Sequence, residues 1–305
     1  MASSLTINQL GKKIGSTNLL ADLSFGVEKG EVLFILGNTN SGKTTLFKIL
    51  IGLIEKDKGK IFFNGMNYDQ RKNDILPMIG YMPQNSTFDS DLNVFQNLLF
   101  FARIQGLDKQ NAKNSIYQWA SKLNFKKYIN SEIQNLSNSI LKKIAFARSL
   151  IHNPDFLLLD NPTSGMDYHD RNIFFNIINE IKKNKTILLI SNNFEESEIY
   201  SDRIIIMHNG CVSVNGSMKN ILDSMGAIYK YRISFKRLVP NEFLKAIKNN
   251  KSVIKVVSRE RHIEFSVSNE SVFLKIIKTA MEHDLDSIKT VSSKLNEVFL
   301  KVTQE

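Results

Sequence analysis

Cysteine is nearly absent from this chain. Cys211 is the single one, so no internal disulfide can form and no zinc-ligand spacing exists. Histidine is sparse as well. The five (His152, His169, His208, His262, His283) are scattered, with no two at i, i+4, which argues against a metal site built on imidazoles. No stretch approaches the ~18–20 consecutive apolar residues needed to cross a bilayer. The opening MASSLTINQLGKKIG lacks the apolar block of a secretion signal. The chain is therefore expected in the cytosol, and any membrane role requires a partner that spans. Repeats and low-complexity tracts are missing too.

What is present suffices for one large domain or two ordinary ones: 305 residues, 42% of them apolar. The formal net charge is +10, and residues 225–305 hold 15 basic against 9 acidic residues. Such an excess fits either a basic solvated surface or an anionic partner. The lysines are spread rather than clustered, which favours the first, with proximity to a membrane surface as an addition. No nucleic-acid partner is expected.

The hydrophobic pattern alternates between strand and helix types. LTINQLGK and ADLSFGVEKG suggest strands, and VLFIL is a short continuous apolar run of the buried-strand kind. TTLFKILIGLI has helical spacing and KGKIFFNG is a strand and turn. From about Ser90 to Leu150 the spacing is helical, with Leu92, Phe95, Leu98, Leu99, Ala102 and Ile104 forming one apolar stripe and Ile116, Trp119, Ala120 and Leu123 another. FLLLD and TILLIS are further buried strands, separated by the helix NIFFNIINEIKK and followed by the short helix SEIYSDR. RIIIMHNG and CVSVNG form a hairpin around Asn209-Gly210. After Met225 the pattern restarts as a small β-α-β-β-α-β unit from YKYRISF to SIKTVS, closed by the helix LNEVFLKVT. The expected domains are residues 1–222, with a helical insertion over about 88–150, and residues 226–305.

Gly37 to Thr44, GNTNSGKT, satisfies G-x-x-x-x-G-K-[ST] in full, with a buried strand before it and an amphipathic helix after. Glycines let such a loop wrap closely around phosphate oxygens, and the amides of Asn40 to Thr44 point inward at the positive end of a helix. Lys43 is placed to reach the β- and γ-phosphates and Thr44 to ligand Mg²⁺. Gly37, Asn40, Ser41, Gly42, Lys43, Thr44 and Thr45 are the nucleotide-binding candidates here. Phe156–Asp160 is an apolar strand ending in an acid, the usual carrier of the carboxylate that holds Mg²⁺. Asn161 follows it, where hydrolytic chemistry would place a base.

Over nearly all of residues 1–222 these motifs resemble the ATP-binding subunits of ABC transporters. Ile79–Leu107 is similar to that family's glutamine loop and the start of its helical subdomain, with Gln84 on the glutamine that senses Mg²⁺ and the membrane partner. Ser164–Asp167, SGMD, matches the loop that crosses the dimer interface. Lys294–Thr303, KLNEVFLKVT, resembles the ending of ABC-2-type drug- and lipid-exporter subunits. The resemblance implies an α/β fold: a P-loop NTPase (RecA-like) core, an antiparallel β subdomain and a helical subdomain, with a small C-terminal α+β domain added. It implies ATP and Mg²⁺ as cofactors, with Thr44, Gln84 and Asp160 at the metal. It implies a transmembrane permease subunit and a second nucleotide-binding subunit, identical or different, as partners at the cytoplasmic face of the membrane. Two such subunits sandwich two ATPs, each capping the other's γ-phosphate with a signature loop.

Four positions depart from the family. The signature L-S-G-G-Q becomes L-S-N-S-I at Leu136–Ile140. Asn138 and Ser139 add bulk where glycine amides meet phosphate, Ile140 removes a hydrogen-bonding amide, and Ser137 remains available to phosphate. Asn161 replaces the base, and Asn192 replaces the switch histidine. Loss of a general base costs about 10²–10⁴-fold. Ile14 stands where an aromatic would stack on adenine. Glu195, Glu196 and Glu198, past the switch position, are candidates for a base supplied from elsewhere. The pattern fits a site that holds ATP and cleaves it weakly, paired with a competent subunit. A non-transport ABC-type ATPase and an ATP-binding regulatory subunit that does not cycle are the alternatives.

Overall fold

The structure is a computed structural model and describes residues 3–225, 229–267, 270–290 and 294–303. Packing divides the chain into two compact units. One comprises residues 1–193 and 200–215, the other 194–199 and 216–305.

The first unit begins with an antiparallel hairpin, β1 (Leu5–Ile14) and β2 (Thr17–Val27). β3 (Val32–Gly37) turns through the glycine-rich loop into α1 (Lys43–Leu50). β4 (Lys58–Phe63) and β5 (Met66–Asn67) return to the hairpin, and α2 (Tyr68–Ile75) leads to β6 (Ile79–Met82). Three helices follow: α3 (Val94–Ile104), α4 (Lys109–Lys122) and α5 (Asn138–Leu150). The chain returns through β7 (Phe156–Asp160), α6 (Tyr168–Ile181), β8 (Thr186–Ile190), α7 (Phe194–Tyr200), β9 (Arg203–His208) and β10 (Cys211–Gly216).

These strands make two sheets, in the orders β2-β1-β4-β5 and β10-β9-β3-β8-β7-β6. In the larger sheet β6, β7, β8, β3 and β9 are mutually parallel. A parallel sheet covered on both faces requires continuous apolar strands. FLLLD and TILLI are buried at every position for that reason, and VLFILG at all but its last. One apolar core joins the smaller sheet, α1 and the larger sheet, with Phe63 of β4 set edge-on against Phe156 of β7 at 4.8 Å.

Each long helix starts on a side chain that accepts from its first turn: Asn93 for α3, in a capping box with Gln96, Asp108 for α4, Ser137 for α5 and Asp167 for α6. The stripe on α3 differs from the expected one. Ile104 is 64% exposed, because the buried edge runs through Val94, Leu98 and Ala102 at four-residue spacing and Ile104 lies about 200° around the helix from Ala102. On α4 the expected Ile116, Trp119 and Ala120, with Leu123 at its end, are buried. Asn209 and Gly210 both take positive φ between β9 and β10, as a two-residue hairpin turn demands.

The second unit contains α8 (Met218–Met225), β11 (Tyr229–Phe235), α9 (Asn241–Lys248), β12 (Val253–Arg259), β13 (His262–Val267), α10 (Glu270–Met281), β14 (Leu285–Thr290) and α11 (Lys294–Thr303). Its sheet runs β12-β13-β11-β14, with all three neighbouring pairs antiparallel. Tyr231, Ile233, Phe265 and Ile263 form a core with Phe243 and Ile247 of α9 and Ile276 and Ala280 of α10. Phe194 belongs to this unit because its ring meets Phe299 of α11 at 5.0 Å, and the Leu295 amide donates to Glu198 at 2.7 Å. Ser268 of the expected hairpin, Val291 and Ser292 of the expected last strand, and residue 226, the expected start of the second domain, lie outside the described residues.

Candidate functional site

Strand register brings the two halves of the site together. Ile35 of β3 and Asp160 of β7 both pair with Ile190 of β8, so they lie level at the carboxyl end of the sheet. That end is where parallel α/β sheets bind ligands. The glycine-rich loop leaves β3 two residues beyond Ile35, one strand away from β7, so only β8 separates it from the strand that ends in Asp160.

The loop has a conformation that only small residues allow. Gly42 sits at φ 96°, and a Cβ there would meet the Leu19 carbonyl oxygen at 2.4 Å. A Cβ on Gly37 would meet the Met207 carbonyl oxygen at the same distance. Asn40 takes φ 66°, which an amide side chain tolerates better than most. α1 then begins at Lys43 with its free amides and positive dipole end facing the loop.

The Lys43 ammonium is folded onto the loop. It donates to the Gly37 carbonyl at 2.7 Å, the Asn38 carbonyl at 2.8 Å and the Ser41 hydroxyl at 3.1 Å. All three of its donors are thereby used. Burial lowers its pKa, and the charge of Asp160 partly restores it. An incoming anion in reach of Lys43 would exchange these neutral acceptors for charged ones, which make stronger bonds.

Asp160 is 1% exposed. Its carboxylate accepts from the Thr44 hydroxyl at 3.0 Å and from the Asn161 amide at 3.0 Å. Burial raises its pKa, while Thr44, Asn161, Lys43 and Lys142 act in the other direction. Tyr81 on β6 is pushed up to about 12 by burial and by the Asp160 charge, so it stays neutral. A buried carboxylate that still prefers more positive charge, beside a hydroxyl, is a suitable donor set for a hard divalent cation. Mg²⁺ favours such oxygens and completes its shell with water and phosphate. Thr44 and Asp160 fit that role, with the Gln84 side chain on the same cleft.

A cleft of about 300 Å³ opens over these groups, lined by Thr39 to Thr45, Gln84, Asn161 and Asn192. It gathers Asn40, Ser41, Gly42, Lys43, Thr44, Thr45 and Gln84. Gly37 lies at the start of the loop, beneath Lys43. Glu195, Glu196 and Glu198 do not line it, nor does Ile14, which ends β1 and is 58% exposed. Asn161 holds its position through a left-handed φ of 45° and a hydrogen bond that its backbone N–H donates to the Ile190 carbonyl at 2.9 Å. Its amide nitrogen points at Asp160, a bond that a carboxylate in its place could not donate.

The signature segment lies outside this cleft. Ser137 caps α5, accepting from the Ile140 amide at 3.4 Å. The Ser139 hydroxyl donates to Asp170, whose other oxygen accepts from Lys143 at 2.7 Å. Asn138 reaches toward Gly165, where a Cβ would come within 2.5 Å of its nitrogen. Lys142 donates to the Gln84 carbonyl at 2.5 Å, joining α5 to the glutamine loop. Motif reading passed over Thr39, Lys142 and Asp170. The doubled lysine after LSNSI is the one trace that Lys142 leaves in the sequence.

A family profile described as ABC transporter matches residues 20–164. The ABC transporter ATP-binding protein NatA of Bacillus subtilis is 33% identical over 205 residues, covering 67% of this chain and 83% of that protein. The chain belongs to the ABC transporter ATP-binding family. Members of this family bind ATP, dimerise and work with membrane permease components. The human phospholipid-transporting ATPase ABCA3 is 27% identical over 99% of this chain, which spans 18% of that much longer protein. An ATP-binding subunit of an ABC transporter superposes with a TM-score of 0.69 at 24% identity, covering 73% of this chain and 94% of that one. The first unit of this ABC chain is thus a P-loop NTPase cassette. No helix among its described residues is long and apolar enough to cross a membrane.

Proposed function

We propose that this ABC subunit binds MgATP in the Lys43–Asp160 cleft, hydrolyses it weakly, and drives export in a complex with a transmembrane permease and a second, competent ATP-binding subunit. The observation that carries the reading is the chemistry of the cleft wall. Asn161 and Asn192 occupy the two positions where a base and a switch histidine are expected, no Asp or Glu is among the described residues that line the cleft, and Asp160 beneath it is already engaged by Thr44 and Asn161. An amide can orient water but cannot accept its proton at neutral pH.

The binding half of the site is intact in kind. Loop amides and the end of α1 would hold the phosphates, Lys43 would exchange its loop acceptors for phosphate oxygens, and Gln84 would face the metal with Thr44 and Asp160. Bound Mg²⁺ would supply charge neutralisation between the phosphates. Ser137 and its neighbours, which do not line the cleft of their own chain, would serve a partner's nucleotide. The bulk of Asn138 and the Ser139–Asp170 bond make that cap a poor one.

Export is favoured by likeness to a phospholipid-transporting ATPase that continues through the second unit. Phe100 and Ile104, one turn apart on α3, are 62% and 64% exposed, and offer an apolar edge to a helix of the permease. The peripheral, cytoplasmic-face location follows from that partnership.

The test is the ATPase rate of the chain purified alone. Turnover close to background is expected, with ATP still bound, and Asn161→Glu should raise the rate by about 10²-fold or more. Vigorous turnover by the unaltered chain without a partner subunit would sink the proposal.

A further inference from the structure

The sheet of the second unit has one covered face and one open face. Tyr231, Ile233, Ile263 and Phe265 point to the covered side, against α9 and α10. Residues paired across strands share a face, so the register fixes the content of the other. One row runs Val257, Glu264, Arg232, Lys289 across all four strands. A second runs Lys255, Ser266, Lys230, and a third Arg259, His262, Ser234, Ser287. Five cations thus share this face with one carboxylate. Glu264 is taken by Arg232 at 2.6 Å, with Lys230 at 3.9 Å. Lys255, Arg259 and Lys289 are exposed and make no ion pair among the described residues. Asp286 lies off these rows, at the break in pairing between β11 and β14.

We infer that this open face docks on an anionic phospholipid surface. Charge complementarity points to a polyanion, and the rest of the face selects a bilayer. A sheet that binds single-stranded nucleic acid offers exposed aromatics on which bases stack. The open rows hold no Phe, Tyr or Trp. Tyr231, Phe235 and Phe265 are all buried, at 6%, 2% and 1% exposure. What stands among the cations is aliphatic: Val257, in the first row, is 41% exposed. Cations around a short apolar side chain match the phosphates and the acyl boundary of an anionic leaflet. The face would hold the second unit at the membrane independently of contacts to a permease. The inference rests on the subunit reading only for the presence of a bilayer, and its test uses no partner, so either can fail alone.

The experiment is flotation of the full chain with vesicles of phosphatidylcholine alone or with about a third phosphatidylserine. Binding to the anionic vesicles is expected in dilute buffer, with loss at high salt as the charges are screened. Each Lys or Arg near such a surface is worth about fivefold in partition, so Lys255→Gln, Arg259→Gln and Lys289→Gln together should weaken it about a hundredfold. A control triple, Lys109→Gln, Lys113→Gln and Lys126→Gln, makes the same change in net charge on exposed residues of the helical segment, and should leave partition within a few fold. Calorimetric transitions of both units at their unaltered temperatures report that both variants are folded. Equal binding to both vesicle types, or equal losses in the two triples, would overturn the inference. So would tighter binding to a single-stranded RNA oligonucleotide than to anionic vesicles, abolished by the first triple.

Discussion

Asn161 shows how one side chain reverses the meaning of its surroundings. Its amide donates to Asp160, whose carboxylate is buried and short of positive charge. A carboxylate in its place would repel Asp160, whereas the Asn161 amide relieves that carboxylate; in the proposed function the same substitution costs the base. A second residue has a consequence for pH. Burial lowers the pKa of His152, against a smaller opposing effect of the Ile79 carbonyl 3.2 Å from its Nε2, and its Nδ1 has no partner among the described residues. The folded protein therefore keeps this ring neutral at pH values where the unfolded chain has protonated it, near 6.5. Unfolded chains then bind more protons, and stability falls as pH drops below 6.5 until the folded ring also protonates, by at most about 1.4 kcal/mol per pH unit. His152→Leu should flatten that slope. Urea midpoints of the two proteins, compared between pH 7.5 and 5.5, read the difference directly. Parallel curves would refute the assignment.

At the scale of elements, the junction of α5 and α6 carries the clearest dependence. Lys143 and Asp170 are 6% and 10% exposed in their side chains and lie 2.7 Å apart, with the Ser139 hydroxyl on the second oxygen. The Asp167 side chain caps the same helix through the Asp170 amide at 2.8 Å. Asp170→Ala would strand a buried ammonium. Breaking one side of a buried pair costs about 3–5 kcal/mol, and a transition of this size should fall by about 10 °C. Asp170→Ala with Lys143→Met should recover most of the loss, because no charge is then left unpaired. A double variant that melts as low as the single one would show that the junction depends on something other than this pair. Neither bond was visible in the motif LSNSI, where Ser139 counts only as a missing glycine. The hydroxyl finds its acceptor 31 residues away, across two helices.

For the whole molecule, the division into two units predicts the response to ligand. ATP with Mg²⁺ at about a hundredfold over its dissociation constant stabilises the unit that binds it by about 2.7 kcal/mol. Calorimetry should show the transition of residues 1–193 and 200–215 rising by about 5–10 °C, with that of the second unit unmoved. Lys43→Ala should abolish the shift. Both transitions moving together in the unaltered chain would count against separate units. The boundary itself was only partly legible. The restart of the pattern after Met225 marked the second unit in the sequence, whereas the assignment of Phe194–Ile199 to it follows from tertiary contacts such as that of Phe194 with Phe299 and that of Glu198 with the Leu295 amide.

The sequence alone determined whatever is encoded at short range. Gly37–Thr44 must be a phosphate loop because Gly42 and its neighbours permit a backbone that other residues forbid. Phe156–Asp160 must be a buried strand because its apolar run is continuous. The amides of Asn161 and Asn192, on which the proposal of weak hydrolysis rests, were equally plain. Tertiary structure decided what meets what. Parallel register sets Asp160 level with the loop after β3, the Asn161 amide turns toward that carboxylate, and Ser139 bonds to Asp170. Antiparallel register collects Lys230, Arg232, Lys255, Arg259 and Lys289, spread over 60 positions with no dense basic run, onto one face of one sheet. Charge along a chain says how much of it there is. Only the pairing of strands says where it points.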